Sequence, residues 1–432
     1  MQKTPKGLRL CIGIFGRRNA GKSTLLNGIT RQDVSIVSET RGTTTDPVEK
    51  AMELQPLGPI LFIDTAGIDD IGALGEMRVQ RSMAVIDRTD IALLLIEQEA
   101  GEFEEKLVAE FCSRKIPVIA VLSKTDICKP SQTLEGFVNT NELPMVRTAL
   151  TRDADSGLDE LRTLIIRHAP EEFINSPGIL SDLVPAGELA VLVVPIDLEA
   201  PKGRLILPQV QSIRDLLDND SYCMIVKERE LRTALELLNR PPALVVTDSQ
   251  AFLKAGGDTP PEIPLTSFSI LFARFKGDLV EFVRGLNAID HLSSGSRILV
   301  AEACSHHPIG EDIGRVKIPR WLRQYTGVKL EFDTVQGHDF PEDLSPYSMV
   351  IHCGGCVWNR REMLTRMMRC RNAHIPITNY GLVIAYSLGI CSRALQPFPA
   401  ALEIFTNSQA VSNKIIVRAS TQISDSRYGF SE

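Results

Sequence analysis

Two sets of residues in this sequence have the types and spacing to do chemistry, one suited to phosphate and the other to a soft metal. Gly16-Arg17-Arg18-Asn19-Ala20-Gly21-Lys22-Ser23, with Thr24 next, follows the pattern G-x-x-x-x-G-K-S/T. Glycines in such a loop let backbone N–H groups turn inward around a β-phosphate. The lysine reaches the β- and γ-phosphates, and the serine hydroxyl is a Mg²⁺ ligand. Near the other end, Cys304-Ser305-His306 is followed about 45 residues later by His352-Cys353-Gly354-Gly355-Cys356. A C-x-x-C turn brings two thiolates to one metal, and paired glycines let the backbone fold tightly around it. Three cysteines with a histidine are a good zinc set, whereas three cysteines with an exchangeable fourth ligand suit a [4Fe–4S] cluster; spacing leaves both open. A C-x₃-C-x₂-C triplet for radical chemistry is absent. Cys370, in an arginine- and methionine-rich helical stretch, reads as structural, and His307, His338 and His374 read as surface or core histidines.

Both sets need strands to end where they begin. Leu8–Phe15, Ile60–Ile63, Ile91–Ile96 and Pro117–Leu122 are short apolar runs separated by helical patterns, the rhythm of a doubly wound, mainly parallel α/β sheet. Gly16 follows the first run and Thr24-Leu25-Leu26 opens a helix, the context a phosphate loop requires. Ser176-Pro177-Gly178 and Pro185-Ala186-Gly187 mark a boundary. A smaller α/β unit follows, with strands near Leu189–Ile196, Tyr222–Val226 and Ala243–Val246 and helices near Pro208–Leu217 and Arg229–Leu238. Gly256-Gly257-Asp258-Thr259-Pro260-Pro261 reads as the next linker. A third α/β unit then begins with a helix over Phe272–Leu286. Its strands Arg297–Ala301 and Met349–Ile351 lead into the two cysteine segments. The expected fold class is α/β: an N-terminal phosphate-loop domain with a doubly wound, mainly parallel sheet over 1–175, then two smaller α/β domains over 185–265 and 266–432.

Composition narrows the function classes. With 432 residues, 44% hydrophobic and 23% charged, the chain is long enough for about three cores and calls for neither disorder nor a membrane. A net charge of −7 argues against a broad nucleic-acid face. Nine cysteines and a polar opening, Met1 to Gly7, lead to the expectation of a cytoplasmic protein in a reducing compartment.

Further segments resemble the parts of a GTPase. Arg41-Gly42-Thr43-Thr44-Thr45-Asp46 resembles a first switch, and the resemblance gives Thr44 the Mg²⁺- and γ-phosphate-sensing role. Asp64-Thr65-Ala66-Gly67 resembles the second switch, with Asp64 near Mg²⁺ and the Gly67 amide facing the γ-phosphate. Ser123-Lys124-Thr125-Asp126 resembles the guanine-reading N-K-x-D, with Ser123 where the family carries asparagine. The Asp126 carboxylate then accepts from guanine N1–H and N2–H₂, which adenine cannot match. Thr148-Ala149-Leu150 resembles the last guanine-side loop. Lys22, Thr44, Asp64 and Gly67 are thus the expected catalytic set. Ile68 follows Gly67 where many small GTPases carry a water-orienting glutamine. Asn19 and the Gly-Thr-Thr switch resemble the TrmE/Era-like branch, in which a matching asparagine binds K⁺. That resemblance implies a slow, K⁺-stimulated enzyme using GTP and Mg²⁺.

A TrmE-like GTPase joined to a middle α/β unit and to C-x-H…H-C-x-x-C resembles the HydF family, the hydrogenase maturation GTPases. The stretch Val194 to Asp197 and Ala200 to Val210 is similar to that family as well. The resemblance implies a dimerising middle domain and a C-terminal domain that binds a [4Fe–4S] cluster through Cys304, Cys353 and Cys356, with His306, His352 or Asp197 as fourth-ligand candidates. It also implies two radical-SAM maturases and apo-[FeFe]-hydrogenase as partners of a homodimer that uses neither nucleic acid nor membrane. The competing reading is a zinc-stabilised regulatory GTPase acting in tRNA or ribosome maturation.

Overall fold

In the computed structural model, which describes residues 5–31, 48–65, 84–150, 155–170, 173, 178–195, 205–303 and 312–410, the continuous apolar runs form strands buried on both faces. Such runs suit parallel sheets, because crossover helices cover both sides. Strands β1 (Leu10–Gly16), β2 (Val48–Leu54), β3 (Gly58–Asp64), β4 (Ile91–Ile96), β5 (Val118–Leu122) and β6 (Met145–Arg147) form one sheet in the order β2-β3-β1-β4-β5-β6. Only β2 runs antiparallel, against β3. β1 sits centrally, with Gly13 opposite Ile63 on one side and Ala92 on the other. Its side chains alternate. Leu10, Ile12 and Ile14 pack with Leu25, Leu26 and Ile29 of the following helix, while Phe15 packs on Phe111 from the opposite layer. A short antiparallel pair, β7 (Ala149–Leu150) and β8 (Asp155–Ser156), follows before the helix Leu158–Arg167.

The chain divides into two compact units, residues 1–176 with 357–365, and residues 177–356 with 366–432. In the first, Asn359 donates through Nδ2 to Arg88 O at 2.8 Å, and Thr365 Oγ1 donates to Asp87 O at 3.1 Å. The second contains two four-stranded parallel sheets. One is built from β9 (Leu189–Val193), β10 (Tyr222–Val226), β11 (Leu244–Thr247) and β12 (Leu265–Ser267), in the order β10-β9-β11-β12. The other uses β13 (Arg297–Glu302), β14 (Glu331–Gln336), β15 (Met349–His352) and β16 (Ile377–Asn379), in the order β14-β13-β15-β16. The two orders are the same topology, with the first strand in chain order inside and the second at the edge.

Several sequence expectations change here. β12 pairs with β11, so a boundary at 265/266 would cut the middle sheet. Gly256-Gly257 is not linker but lies inside the helix Phe252–Asp258, where a Cβ on Gly256 would meet the end of the Ile390 side chain at 2.5 Å, a contact that side chain can relieve by moving. The Arg393 guanidinium donates to the carbonyls of Thr259, Pro260, Pro261 and Ile263, which fixes the segment. The helix expected over Phe272–Leu286 is two, Phe268–Lys276 and Leu279–Leu286. The break falls at Gly277, and Asp278 caps the second helix by accepting from Glu281 N.

One glycine in the first unit carries a strict requirement. Gly157 opens the helix Leu158–Arg167 at φ 87°, and a Cβ there would stand 2.1 Å from Arg147 O, a backbone atom that cannot yield. Gly157→Ala therefore costs about 2 kcal/mol or more. The expected outcome is a thermal transition of this unit lowered by roughly 5 °C, measured by scanning calorimetry of the full chain.

Candidate nucleotide site and candidate metal centre

The carboxyl ends of β1, β3, β5 and β6 bring the phosphate-binding segments to one edge of the first sheet. Gly16 ends β1 at φ 150°, Asn19 takes φ 63° and Gly21 φ 91°, a run of unusual backbone that curls the loop ahead of the helix Lys22–Arg31. Lys22 is buried, and its ammonium donates to Gly16 O at 2.9 Å and Arg17 O at 2.7 Å. Two backbone carbonyls thus stand in for phosphate oxygens. Ser23 Oγ donates to Asp64 Oδ2 at 2.7 Å. Asp64 Oδ1 is buried with no hydrogen-bond partner among the described residues. Burial raises the Asp64 carboxyl, while the Ser23 hydroxyl, Lys22 and Lys50 pull it back. A buried, partly orphaned carboxylate beside a serine hydroxyl is a donor set that fits Mg²⁺, whose charge would favour the ionised form.

The loop is braced by contacts that its motif did not reveal. Arg17 makes a fork to Glu104, Nε to Oε1 at 2.8 Å and Nη2 to Oε2 at 2.7 Å. Glu104 is only 1% exposed and also accepts from Gly101 N. Nothing in the acidic run Glu102 to Glu105 singles it out in sequence; only the fold selects one carboxylate of three.

On the base side, Lys124 takes φ 56°, donates to Asn19 O at 2.7 Å and pairs with Glu97. Thr125 N and Oγ1 both donate to Thr148 O, and Thr148 N donates to Leu122 O, which ties this loop to the Thr148-Ala149 segment. Asp126 is exposed. Ser123 is buried, with its hydroxyl 3.5 Å from Ile96 O, turned back into its own strand edge. Ala20 is buried, while Ser23, Thr24 and Asn19 are exposed. The expected residues Gly16 to Thr24, Asp64, Ser123, Lys124, Asp126, Thr148 and Ala149 thus all lie along the loops of this edge. Thr44, Gly67 and Ile68 lie outside the described residues.

The cysteine turn sits in the second unit, where β13 and β15 lie side by side and their crossovers lead to opposite flanks. Such a topological switch point opens a crevice at the strands' carboxyl ends. Cys353 N donates to Ala301 O at 2.9 Å, continuing the ladder, and Cys353 Sγ accepts from Ala303 N at 3.1 Å. Gly355 takes φ 62°, which bends the turn toward Cys356. Cys353, Gly354, Gly355 and Cys356 line one cavity with Glu302, Asp312 and Tyr380. The ends of the other sheet contribute Asp248, Ser249 and Ser269 to the same cavity. No disulfide joins Cys353 to Cys356. Among the described residues no three metal-binding side chains gather, and Cys304, His306 and Asp197 lie outside them. Two thiols on a tight glycine turn, one already receiving a backbone N–H, are a donor pair that fits an iron–sulfur or zinc centre.

His352, one of the fourth-ligand candidates, meets protein groups at both ring nitrogens. It is fully buried, its Nδ1 lies 2.8 Å from Cys353 O and its Nε2 lies 3.3 Å from Arg366 Nη1, so both ring nitrogens are engaged. Burial first, then the Arg366 charge, lowers its pKa to about 3, against the Cys353 carbonyl that favours the charged form. Cys370, as expected, is structural: it is fully buried, and burial pushes its thiol up to about 12, far from a ligating thiolate.

Residues 280–397 match the Hydrogen maturase F tetramerization domain, residues 179–277 the Hydrogen maturase F dimerization domain, and residues 11–124 the 50S ribosome-binding GTPase family. The chain is 36% identical over 124 residues to GTPase Der of Mycoplasmopsis pulmonis, covering 27% of this chain and 28% of that protein. It is 37% identical over 179 residues to tRNA modification GTPase MnmE of Syntrophotalea carbinolica, covering 40% of this chain and 36% of that protein. The chain thus spans about a third of the length of these curated relatives. Similar solved structures include Era in complex with MgGDPNP and 16S ribosomal RNA (TM-score 0.31, 20% identity, 50% of this chain and 91% of that one). The G domain of the T. maritima FeoB iron transporter is another (TM-score 0.30, 20% identity, 38% and 99%). With a GTPase domain followed by both Hydrogen maturase F domains, the chain belongs to the HydF family of hydrogenase maturation GTPases.

Proposed function

We propose that this chain is a GTP-hydrolysing scaffold that holds a [4Fe–4S] cluster through Cys304, Cys353 and Cys356 and assembles or delivers the di-iron subcluster to apo-[FeFe]-hydrogenase. It works as a cytoplasmic homodimer with two radical-SAM maturases. The observation that carries this reading is the Cys353–Cys356 turn at the switch point of a sheet that lies in a Hydrogen maturase F domain. Bound there, the cluster supplies an iron with an exchangeable position, suited to a bridging group from the cargo. The chain's own part is to present two thiolates on a fixed turn, to donate Ala303 N–H to the Cys353 sulfur, and to wall the cavity with apolar and carboxylate side chains.

In the nucleotide half, phosphate binding draws Lys22 from the Gly16 and Arg17 carbonyls, while Ser23 and Asp64 hold Mg²⁺ and Asp126 reads guanine. Asn19 supports a K⁺ role by its exposed, left-handed place in the loop. The tRNA modification GTPase MnmE of Syntrophotalea carbinolica matches 40% of this chain, whereas residues 179–277 and 280–397 match Hydrogen maturase F domains, which favours the maturation reading over a tRNA or ribosome role.

Four outcomes are expected. Anaerobic reconstitution with iron and sulfide gives a reduced [4Fe–4S] EPR signal that Cys353→Ser loses; a colourless protein holding stoichiometric zinc would instead favour the zinc-stabilised regulatory GTPase. GTP turnover is at least about tenfold faster in K⁺ than in Na⁺, and Asn19→Ala removes the difference; equal rates in the two salts would reject the K⁺ role. Ser123→Asn, by restoring one hydrogen bond at the base side, tightens GTP and GDP about fivefold in calorimetric titration. Asp126→Asn, by contrast, weakens GTP about a hundredfold or more and favours XTP.

A further inference from the structure

Behind the cysteine turn lies a buried polar arrangement that the ligand set does not explain. Arg366, 3% exposed, donates through Nη2 to Gly337 O at 2.6 Å, and its guanidinium stands 4.6 Å from the centre of the Phe340 ring. Its Nη1 lies 3.3 Å from His352 Nε2. Arginine has donors only, so Nε2 must be the bare, accepting nitrogen and the ring proton must sit on Nδ1. Nδ1–H then donates to Cys353 O at 2.8 Å. Asn379 Nδ2, 3.4 Å from His352 O, holds the same strand end from its other side.

We infer that Arg366 is a positioning residue of the metal centre: through His352 it fixes the carbonyl of Cys353, it keeps the imidazole lone pair from the metal, and it holds a permanent positive charge behind the thiolate turn. The inference rests on the [4Fe–4S] reading above and deepens it. A fixed cation close to a cluster favours the form carrying one more electron, so it raises the midpoint potential. Lysine would keep the charge but not the fork that reaches both His352 and Gly337. Methionine would fill the space beside Phe340 without the charge.

The test uses the full chain, reconstituted anaerobically with iron and sulfide, with the cluster EPR signal followed by redox titration. Arg366→Met is expected to lower the midpoint potential at equal cluster content, and Arg366→Lys to restore most of the shift. Pulsed EPR of the reduced wild-type cluster is expected to show no directly bound nitrogen that His352→Gln removes, a comparison that does not depend on Arg366→Met folding. Equal midpoints in wild type and Arg366→Met, or a bound nitrogen in wild type lost in His352→Gln, would overturn the inference while leaving the cluster reading intact. A wild-type chain that takes up no cluster rejects the reading itself, and the inference with it.

Discussion

Parallel strands cannot be joined by tight turns, and that constraint governs where everything of chemical interest sits in this chain. Each connection must cross over a face of the sheet, so the loops that leave the carboxyl ends are long, lie together along one edge and are free to carry function. The sheet around β1 uses its edge for Gly16 to Ser23, Asp64, Ser123 to Asp126 and Thr148. The sheet around β13 uses its edge for Glu302, Ala303 and the Cys353–Cys356 turn. The middle sheet has the same strand order as the last. Its carboxyl ends supply Asp248, Ser249 and Ser269 to the cavity that holds the cysteines, so one cavity is lined from the edges of two similarly wound sheets.

The helices after β12 and β16 show how closely those edges meet. Ser267 and Asn379 are equivalent N-caps, accepting from Ile270 N and Gly381 N. Ser269 Oγ donates to Asn379 Oδ1 and accepts from Gly381 N, and a Cβ on Gly381 would lie 2.8 Å from the Ser269 Cβ. Two helix starts can approach this closely only where one supplies a glycine and the caps share their hydrogen bonds. The cavity beside the cysteines therefore has a wall held by directional bonds as well as by apolar contact.

Much of this was legible in the sequence where local chemistry and local fold demand the same residues. The phosphate loop had to follow a strand and open a helix, and it does. The H-C-x-x-C segment had to leave a strand end, and it does. What was not legible depended on contacts distant in sequence. Gly256-Gly257 followed by Thr259-Pro260-Pro261 has the composition of a linker, yet the glycines continue the helix Phe252–Asp258 and the prolines' carbonyls are taken by Arg393. The apolar run through Phe272 to Leu286 has one helical period, but Gly277 and the Asp278 cap divide it. His352, adjacent to a cysteine, reads as a candidate ligand in sequence; its contacts with Arg366 and the Cys353 carbonyl depend on partners that the local motif does not name.

The two candidate sites use positive charge in opposite ways, and the difference follows from what each must hold. A polyphosphate is displaced and rebound, so its cation must be able to change partners; Lys22, a point charge on a flexible stem, rests on two carbonyls that phosphate oxygens can replace. A thiolate-bound centre has to keep its geometry while its electron count changes, and there a mobile ammonium would be a poor neighbour. Arg366 has the opposite properties: a planar, permanently charged group whose two arms meet His352 and Gly337 and whose face lies on Phe340. Held against His352, whose other ring nitrogen meets the Cys353 carbonyl, such a cation is suited to the role inferred for it above, to bias the electron count of a centre on the cysteine turn without being a ligand itself.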